Sequence, residues 1–380
     1  MEVRPNTIGE ARVYGWCPSA WRPMMAGDGL LVRVRPALAR ISHAQALGLC
    51  EAALTFGNGA IDLTNRAGLQ IRGVREAGLA GLLERLVSLD LIAADPAVEA
   101  RPALLVAPDW TPGDMTQRIA LTLAGRLHEL PDLPGKTGFA IDLSGAPVLS
   151  ASPADFRVER GEAGSVIVRA DGRDRGVAVA EEAVVDTLLA LAGWFVESGG
   201  GAEAGRMARH RADPPPALMG TEAPAASRGV GDSLGAVLGA PFGRMEARGL
   251  MALLNRVDTP ALRITPWRRI IVEGAWPVSA EGFTLDPQDA VMRADACVGA
   301  PACPQATVET RGLALDLAPH VGGSLHVSGC AKGCARPSPA DVVLTGRGGA
   351  FDLAYDARAG APARCSGLNA AQILSLLGTS

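Results

Sequence analysis

The sequence has few of the features that are typical of nucleic-acid-binding proteins. Lys136 and Lys332 are the only lysines among its 36 basic residues, and the others are arginines. Because the net charge is −4 and no basic tail or aromatic-basic stripe occurs, nucleic acid is not an expected partner. A lysine ammonium is a compact, titratable charge that arginine cannot mimic, so the two lysines are candidates for function. An arginine-rich coding bias is the alternative explanation.

Segments for targeting or membrane insertion are also missing. Residues Met1 to Tyr14 lack the apolar core of a signal peptide, which favours a cytoplasmic protein. The longest apolar stretch, Ala183 to Val196, is too short to cross a bilayer and contains Asp186, so it predicts a buried helix and no membrane partner. No G-x-G-x-x-G motif follows a predicted strand, and a dinucleotide site in this chain is therefore not expected.

Aromatic residues make up only 4% of the chain although 48% is hydrophobic, so alanine, valine and leucine must fill the core. Gly29 to Pro36 and Ile61 to Val74 alternate like strands. Ser42 to Ala53 has apolar residues at helical spacing, with Ser42 as the N-cap. The second strand has one polar face, formed by Thr64, Arg66, Gln70 and Arg72.

The same arrangement returns in the second half of the chain. Ala240 to Asn255 predicts a helix, and Ala261 to Gly274 predicts a strand. This pattern indicates an internal duplication, and two unrelated strand–helix units are the alternative. A constant offset of 201 residues aligns Ala46 with Ala247, Leu49 with Leu250, Thr64 with Thr265 and Gly73 with Gly274.

Seven cysteines are present, an odd number that argues against a disulfide framework in a chain without a signal peptide. Cys17 and Cys50 are predicted to be small hydrophobic core residues, and no partner is assigned to Cys365. The other four form the pattern C-x5-C, then 26 residues, then C-x3-C: Cys297, Cys303, Cys330 and Cys334.

Glycine and proline residues surround these four cysteines and predict turns that aim backbone amides at sulfur. Four thiolates bind zinc or an iron–sulfur cluster equally well, so the chemistry alone leaves both open. The spacing differs from that of zinc ribbons and from the C-x2-C-x2-C run of ferredoxins. It favours an iron–sulfur cluster over zinc, with unliganded core thiols as a third interpretation.

At these residues the sequence resembles the siroheme sulfite/nitrite reductase superfamily, in which C-x5-C and C-x3-C hold a [4Fe–4S] cluster. The resemblance implies that Cys297, Cys303, Cys330 and Cys334 are the cluster ligands, with Cys334 in the place of the ligand that bridges to siroheme iron. It also implies an α+β fold of the sulfite/nitrite reductase type with two pseudo-symmetric halves. Each half would have a ferredoxin-like half-domain and an α+β domain, at 10–80 and 98–197, then at 233–280 and 288–380, with a linker at 198–232.

In this superfamily, arginine and lysine residues on the repeated strands bind the anionic tetrapyrrole and the substrate. Arginine suits this role because its fork binds carboxylates bidentately, and a solvated strand face is the alternative. Gln117 stands where an arginine is expected, and Gly138 stands where a second lysine is expected. This reduced set of cations is poorly suited to a small oxyanion such as sulfite. The implied binding residues are Arg33 (or Arg35), Arg66, Arg72, Arg118, Lys136 and Arg268.

Five stretches together resemble one branch of the superfamily, the precorrin-3B synthase family: GWCPSAWRPM, LTNRAGLQIRGV, ARHRADPPPALMG, TPWRRI and HVSGCAKGCARPSPADVVLTG. The resemblance implies a monooxygenase that uses O2 to hydroxylate precorrin-3A and to close a γ-lactone. The implied cofactors are the [4Fe–4S] cluster and a mononuclear non-haem iron, without siroheme. Electrons would come from NADH through a partner reductase, and the tetrapyrrole would be the substrate.

The ligands of the second iron are not apparent, because none of the five histidines forms an H-x-D or H-x-E motif. His326, four residues before Cys330, is the candidate, and a strand residue satisfied by hydrogen bonds is the alternative. Two other functions stay open at this point. One is a siroheme-dependent sulfite or nitrite reductase, and the other is an iron–sulfur electron carrier or a zinc-stabilised binding protein.

Overall fold

A computed structural model describes residues 18–143, 145–201, 205–228, 234–276 and 279–377. Cys17, which the sequence predicts to be a core residue, lies outside these ranges. The described residues form four sheets and three hydrophobic cores.

The first half of the chain begins with a half-domain and continues into an α+β domain. The elements of the half-domain are β1 (Met24–Ala26), β2 (Gly29–Val34), β3 (Arg40–Ser42), α1 (His43–Phe56), β4 (Ala60–Leu63), β5 (Leu69–Val74), α2 (Leu79–Ser88) and α3 (Pro96–Glu99). Those of the α+β domain are β6 (Ala103–Val106), α4 (Met115–Arg126), β7 (Gly138–Asp142), β8 (Phe156–Arg160), β9 (Val166–Ala170), β10 (Val177–Val179) and α5 (Val184–Glu197).

The second half repeats this order. Its half-domain contains β11 (Gly235–Gly239), β12 (Arg244–Glu246), α6 (Ala247–Leu254), β13 (Ala261–Ile264) and β14 (Arg269–Glu273). Its α+β domain contains α7 (Ala290–Arg293), β15 (Ala294–Ala296), α8 (Arg311–Leu317), β16 (Leu325–Ser328), β17 (Ala340–Arg347), β18 (Ala350–Ala357), β19 (Cys365–Leu368) and α9 (Ala370–Leu377).

Each half-domain sheet takes one strand from the other half of the chain. The first sheet has the order β1-β2-β5-β4-β12, and the second has the order β11-β14-β13-β3. Strand β12 pairs antiparallel with β4, and β3 pairs antiparallel with β13. Both sheets share one core with α1 and α6, in which Leu49 and Leu253 are fully buried. The two halves are therefore joined through their sheets and through their core.

The helix predicted after Ser42 is confirmed. The Ser42 side chain accepts a hydrogen bond from the Gln45 amide, and the Gln45 side chain accepts one from the Ser42 amide. This reciprocal capping box satisfies two backbone donors at the start of α1. Cys50 lies on the buried face of α1, and burial raises the pKa of its thiol to about 12. The prediction that Cys50 is a core residue is therefore confirmed.

The prediction of one continuous strand over Ile61 to Val74 is wrong. The segment is a hairpin of β4 and β5, closed by a hydrogen bond from the Thr64 amide to the Gly68 carbonyl at 2.9 Å. The strand predicted over Ala261 to Gly274 is likewise the hairpin of β13 and β14, closed from Thr265 to Arg269. An alternation of period two continues through a tight turn, so it does not reveal where a chain reverses.

The structure corrects the alignment of the repeated helices. The turns at Thr64 and Thr265 keep the offset of 201. Helix α1, however, begins at His43 and α6 begins at Ala247, so equivalent helix positions differ by 204. The helix predicted from Ala240 is also too long, because residues 244–246 form β12.

The two α+β domains contain the same five-stranded sheet. Strands β6, β7 and β8 are parallel, and β9 and β10 continue antiparallel. Strands β15, β16 and β17 are likewise parallel, followed by antiparallel β18 and β19. Strand order and directions agree, which confirms the predicted fold of two pseudo-symmetric halves.

The apolar stretch Ala183 to Val196 forms α5, in which Leu188 and Phe195 are fully buried. Within the described residues, none of the helices has the length and apolar character needed to cross a membrane.

Candidate functional site

The four patterned cysteines lie at one edge of the second α+β sheet. Cys297 directly follows β15, and Cys330 lies two residues after β16. Because β15 and β16 are neighbouring parallel strands, their carboxyl ends meet at the same edge. The loops that begin there carry Cys303 and Cys334, so the fold brings both cysteine pairs to one place.

Backbone and hydroxyl groups hold the segment at Cys297. The Gly329 amide donates a hydrogen bond to Cys297 Sγ at 3.2 Å. The Thr310 hydroxyl donates to the Cys297 carbonyl at 2.7 Å. A Cβ atom at position 329 would lie 2.6 Å from the Cβ of Ala306, so this close approach requires glycine.

The thiol of Cys334 interacts with the other three thiols. Partial burial raises the pKa of Cys334, and the charges of Cys297, Cys330 and Cys303 raise it further, against a lowering effect of Lys332. In the described part of the chain, no three side chains of His, Cys, Asp or Glu are arranged to hold a single metal ion. The charges of the other three thiols thus reach Cys334, although no three of these side chains converge on one point in the described ranges.

The first half-domain covers the cysteine loop. The Gly27 amide, in the turn between β1 and β2, donates to the Ala302 carbonyl at 2.9 Å. A Cβ atom on Gly27 would lie 2.5 Å from the Pro301 carbonyl oxygen. This turn therefore fits against the segment between Cys297 and Cys303 only because residue 27 has no side chain.

His326 lies on β16 beneath the second cysteine loop, and its side chain is fully buried. Neither of its ring nitrogens has a hydrogen-bond partner among the described residues. Burial lowers the pKa of His326, while Asp295 raises it and Arg336 lowers it. Asp295 is itself bound by Arg336 at 2.9 Å and faces Arg268 at 3.4 Å.

Two of the predicted binding residues lie on the first half-domain sheet. Arg33 on β2 donates to Gln70 on β5 at 2.7 Å. Arg72 on β5 is buried and makes two hydrogen bonds to the Asp28 carboxylate, at 2.9 and 2.6 Å. Arg35, the alternative to Arg33, donates instead to the carbonyl of residue 101 at 2.8 Å. Arg33 and Arg72 are thus presented on one sheet.

Arg66 and Lys136 are brought together at the edge of the first α+β domain. Arg66 Nη2 donates to the Lys136 carbonyl at 2.5 Å. Gly138 lies beside them, and a Cβ atom there would be 3.5 Å from Arg66 Nη1. A side chain at position 138 would therefore enter the space next to the Arg66 guanidinium.

Two other predicted binding residues are engaged elsewhere. Arg268 donates to the carbonyls of Ala294 and Met292, both at 2.6 Å, and so ties the second half-domain to β15. Arg118 on α4 pairs with Glu181 at 2.7 Å on the surface, and this hydrogen bond raises the pKa of Arg118. The structure does not bring Arg118 to the cysteine loops.

Asp62 on β4 is the centre of a charge cluster that the sequence did not reveal. Its carboxylate lies 2.5 Å from Arg244 Nε, 3.8 Å from Arg72 Nη1 and 3.7 Å from Arg311 Nη2. Asp28, Asp62, Arg72, Arg244 and Arg311 are called the Asp62 cluster below. They come from distant parts of the chain, and a lone aspartate inside an apolar strand was the only sequence signal.

Comparisons with known proteins agree with this geometry. Residues 22–89 match the family model of the nitrite/sulfite reductase ferredoxin-like half domain. The NirA protein of Mycobacterium tuberculosis has the same fold, with a TM-score of 0.61 at 17% identity, over 88% of this chain and 76% of that one. A precorrin-3B synthase of Sinorhizobium sp is 32% identical over 93% of this chain and 85% of that protein. Since the likeness extends along almost the whole length of both proteins, this chain belongs to the precorrin-3B synthase family.

Proposed function

We propose that this chain hydroxylates precorrin-3A with O2 and closes a γ-lactone, as a precorrin-3B synthase with a [4Fe–4S] cluster on its four patterned cysteines. The electrons come from NADH through a partner reductase. The observation that carries this proposal is the junction between the cysteine loops and the arginine-bearing sheet of the first half-domain. The hydrogen bond from Gly27 to Ala302 fixes that junction. The name of the 32% identical relative supports the substrate.

The residues around the cysteines suit an iron–sulfur cluster. The donor set is four thiols, and the Gly329 amide already points at Cys297 Sγ. In a [4Fe–4S] cluster each thiolate binds a different iron, so the thiols lie around a cube rather than around one ion. Neighbouring thiols that do not converge on one point are consistent with that geometry. Cys297, Cys303, Cys330 and Cys334 would hold the cluster, which supplies electrons one at a time when bound.

A mononuclear iron finds no matching ligand set in the described residues. His326 is the predicted ligand, but within the described ranges it belongs to no group of three His, Cys, Asp or Glu side chains that could hold a metal ion. Asp295, which lies opposite His326 on the neighbouring strand, is already paired with Arg336 and Arg268. We therefore assign no reaction step to a second iron, and the role of His326 stays a prediction.

The residues of the first half-domain would bind and orient the tetrapyrrole. Precorrins carry several carboxylates, and arginine forks bind carboxylates bidentately. Arg33 and Arg66 lie on the sheet and its edge, and Lys136 is the residue whose backbone carbonyl accepts from Arg66. We propose that these three residues hold substrate carboxylates and that Arg72 acts through the Asp62 cluster instead, because it is buried and bound to Asp28.

Two positions argue against sulfite or nitrite as the substrate. A side chain at position 138 would face the guanidinium of Arg66, but residue 138 is glycine and supplies no charge. Gln117 is used locally, since its amide oxygen accepts from the Gly113 amide at the start of α4. A small oxyanion requires several converging cations, and these two residues supply none.

The proposal is tested first by purification under anaerobic conditions, with iron and acid-labile sulfide counts and a visible spectrum. The expected result is about four irons and four sulfides per chain without haem bands. Cys303→Ser should lose the cluster, whereas Cys365→Ser, the control outside the pattern, should keep it. Haem-type bands would contradict the proposed synthase function, and zinc without sulfide would refute the cluster assignment.

The second test is the reaction itself. The loaded protein is given precorrin-3A, a reductase with NADH, and 18O2, and the product is analysed by mass spectrometry. We expect one labelled oxygen atom and a lactone in the product. Reduction of sulfite or nitrite by the same preparation, with no labelled product, would contradict the proposal.

A further inference from the structure

Arg311 is a largely buried cation, and two of its donor nitrogens have no acceptor among the described residues. Its side chain is 18% exposed, and Nη2 faces Asp62 Oδ1 at 3.7 Å. Its other donor nitrogens, Nε and Nη1, are buried and have no hydrogen-bond partner in the described residues. A guanidinium stays charged in proteins, and buried charged donors without acceptors are rare. Arg311 therefore requires an acceptor that the described residues do not supply.

The surroundings of Arg311 indicate that this acceptor is an anion. Within the Asp62 cluster, Arg72, Arg244 and Arg311 face the carboxylates of Asp28 and Asp62. A third carboxylate, that of Glu246, lies 3.9 Å from Arg244 Nη1 but is 64% exposed, so solvent screens its charge. Burial lowers the pKa of Arg311 and Asp62 raises it, while Arg244 and Arg72 lower it and the charge of Cys297 raises it. Three guanidiniums this close repel one another, and an added negative charge would relieve that repulsion.

The local fold directs Arg311 to the cysteine loops. Thr310, the residue before it, is fully buried and donates to the Cys297 carbonyl at 2.7 Å. A Cβ atom on Gly299 would lie 2.7 Å from Thr310 Oγ1, so the backbone of the Cys297 loop packs tightly against this residue. The start of α8 is thus anchored to the segment that holds Cys297, and Arg311 is the first residue of α8.

We propose that Arg311 sets the reduction potential of the cluster, by donating its Nε–H and Nη1–H groups to the cluster sulfurs and placing its positive charge beside them. This inference rests on the cluster of the proposed function. A reduced cluster carries one more negative charge than an oxidised one, so a nearby cation stabilises the reduced form and raises the potential. Hydrogen bonds to the sulfurs act in the same direction.

Asp62 opposes the effect of Arg311 on the reduction potential. It also connects Arg311 to the sheet of the first half-domain, on which Asp62 lies. Its carboxylate neutralises part of the charge of Arg311, and it also binds Arg244 at 2.5 Å. Removing the charge of Asp62 should therefore raise the potential, whereas removing that of Arg311 should lower it. The opposite signs separate an electrostatic role from general damage to the fold.

The test is a redox titration of the anaerobically purified protein, followed by EPR, with iron and sulfide counts for every variant. Arg311→Met should lower the midpoint potential so that the ratio of reduced to oxidised cluster falls at least tenfold at a fixed solution potential, about 59 mV for one electron. Arg311→Lys should give a smaller decrease, and Asp62→Asn should give an increase. Arg256→Met is the control, because Arg256 is exposed and its donors are taken by the backbone carbonyls of Ala252 and Ser279.

Each outcome has one meaning. Equal potentials for wild type, Arg311→Met and Arg256→Met, at equal cluster content, would overturn the inference and leave the proposed function standing. If Arg311→Met loses the cluster, Arg311→Lys and Asp62→Asn decide the matter by the sign of their shifts. A weaker affinity for the tetrapyrrole with an unchanged potential would assign Arg311 to a substrate carboxylate and would also overturn it. A wild-type protein without iron or sulfide would instead refute the proposed function.

Discussion

The two α+β domains have the same sheet, but they differ in how their buried polar groups are partnered. In the first domain, Arg157 is 3% exposed, pairs with Asp171 at 2.7 Å and donates to the Leu149 and Ser152 carbonyls. In the second domain, Arg311 and His326 each have two buried nitrogens without a partner in the described residues. The first domain also has unpartnered atoms, but these are single oxygens of Asp109 and Thr137.

This difference shows how one scaffold can serve either stability or function. A domain that satisfies its own buried charges is complete as a folded unit. A domain that leaves two donors of a guanidinium and a whole imidazole without partners is stable only at some cost, which a bound group can offset. The predictions below test that contrast.

The largest expected effect on the free energy of unfolding comes from replacing Arg157 and Arg311 by methionine, one at a time. Arg157→Met should lower the free energy of unfolding by about 3–5 kcal/mol, because it leaves Asp171 and two carbonyls without their donor. Arg311→Met in the cluster-free protein should change it by less than about 1 kcal/mol, because two of its donor nitrogens have no partner to lose. Urea unfolding of both variants measures these two changes in the free energy of unfolding. Equal losses would remove the contrast between the domains.

The second prediction concerns Asp142, at the end of β7. Burial raises the pKa of Asp142 to about 6, against the lowering effect of the Leu149 and Val148 amides. The folded protein therefore binds this proton more tightly than the unfolded chain, whose pKa is 3.8. The stabilisation is complete below about pH 4 and is lost as pH rises through about 6, to a total of about 3 kcal/mol.

Asp142→Asn removes this titration while keeping an acceptor for the two amides. The difference in unfolding free energy between variant and wild type should therefore grow in favour of the variant from pH 4 to pH 7. Urea unfolding across this range is the measurement. A difference that stays constant with pH would show that Asp142 does not titrate in this window.

The third prediction concerns the fit of the first half-domain on the cysteine loop. Gly27→Ala places a methyl group 2.5 Å from the Pro301 carbonyl oxygen, so one backbone must move. We expect a loss of about 1–3 kcal/mol in unfolding free energy and a slower incorporation of iron. Gly322→Ala is the control, because nothing lies within 4 Å of a Cβ atom there. Similar behaviour of both variants would show that the turn is not fitted to the loop.

The smallest expected effect comes from His326. A buried imidazole without hydrogen-bond partners costs free energy, so His326→Leu should leave the stability of the cluster-free protein unchanged or raise it by about 1 kcal/mol. A clear decrease would show that the imidazole is satisfied and structural. Loss of product formation with unchanged stability and cluster content would support a role in the reaction.

Local patterns in the sequence predicted much of the fold. The N-cap at Ser42, the strands and the duplicated arrangement all depend on residues close in sequence. The two hairpins were missed because their alternation runs through Thr64 and Thr265 without interruption. The exchange of β3 and β12 was missed because each is three residues long and pairs with a strand from the other half.

The candidate site was predictable only in part, for a related reason. The cysteine pattern identified both loops, since the pairs lie close in sequence. The Asp62 cluster was not predicted, because Asp62 and Arg311 belong to opposite halves and meet only after folding. Arg268 and Arg118 were predicted to bind the tetrapyrrole, and that stays a prediction. The local motifs do not report the contacts that the structure gives these two residues, with Met292, Ala294 and Glu181.

The exchanged strands have a consequence for fragments of this protein. A polypeptide cut within residues 205–228 would yield two pieces, and each would lack an edge strand that the other carries. Neither piece could close its half-domain sheet alone, and the common core around Leu49 and Leu253 would be exposed in both. We expect such pieces to work as a complementing pair, so that their folding depends on their concentration as the assembly of a heterodimer does.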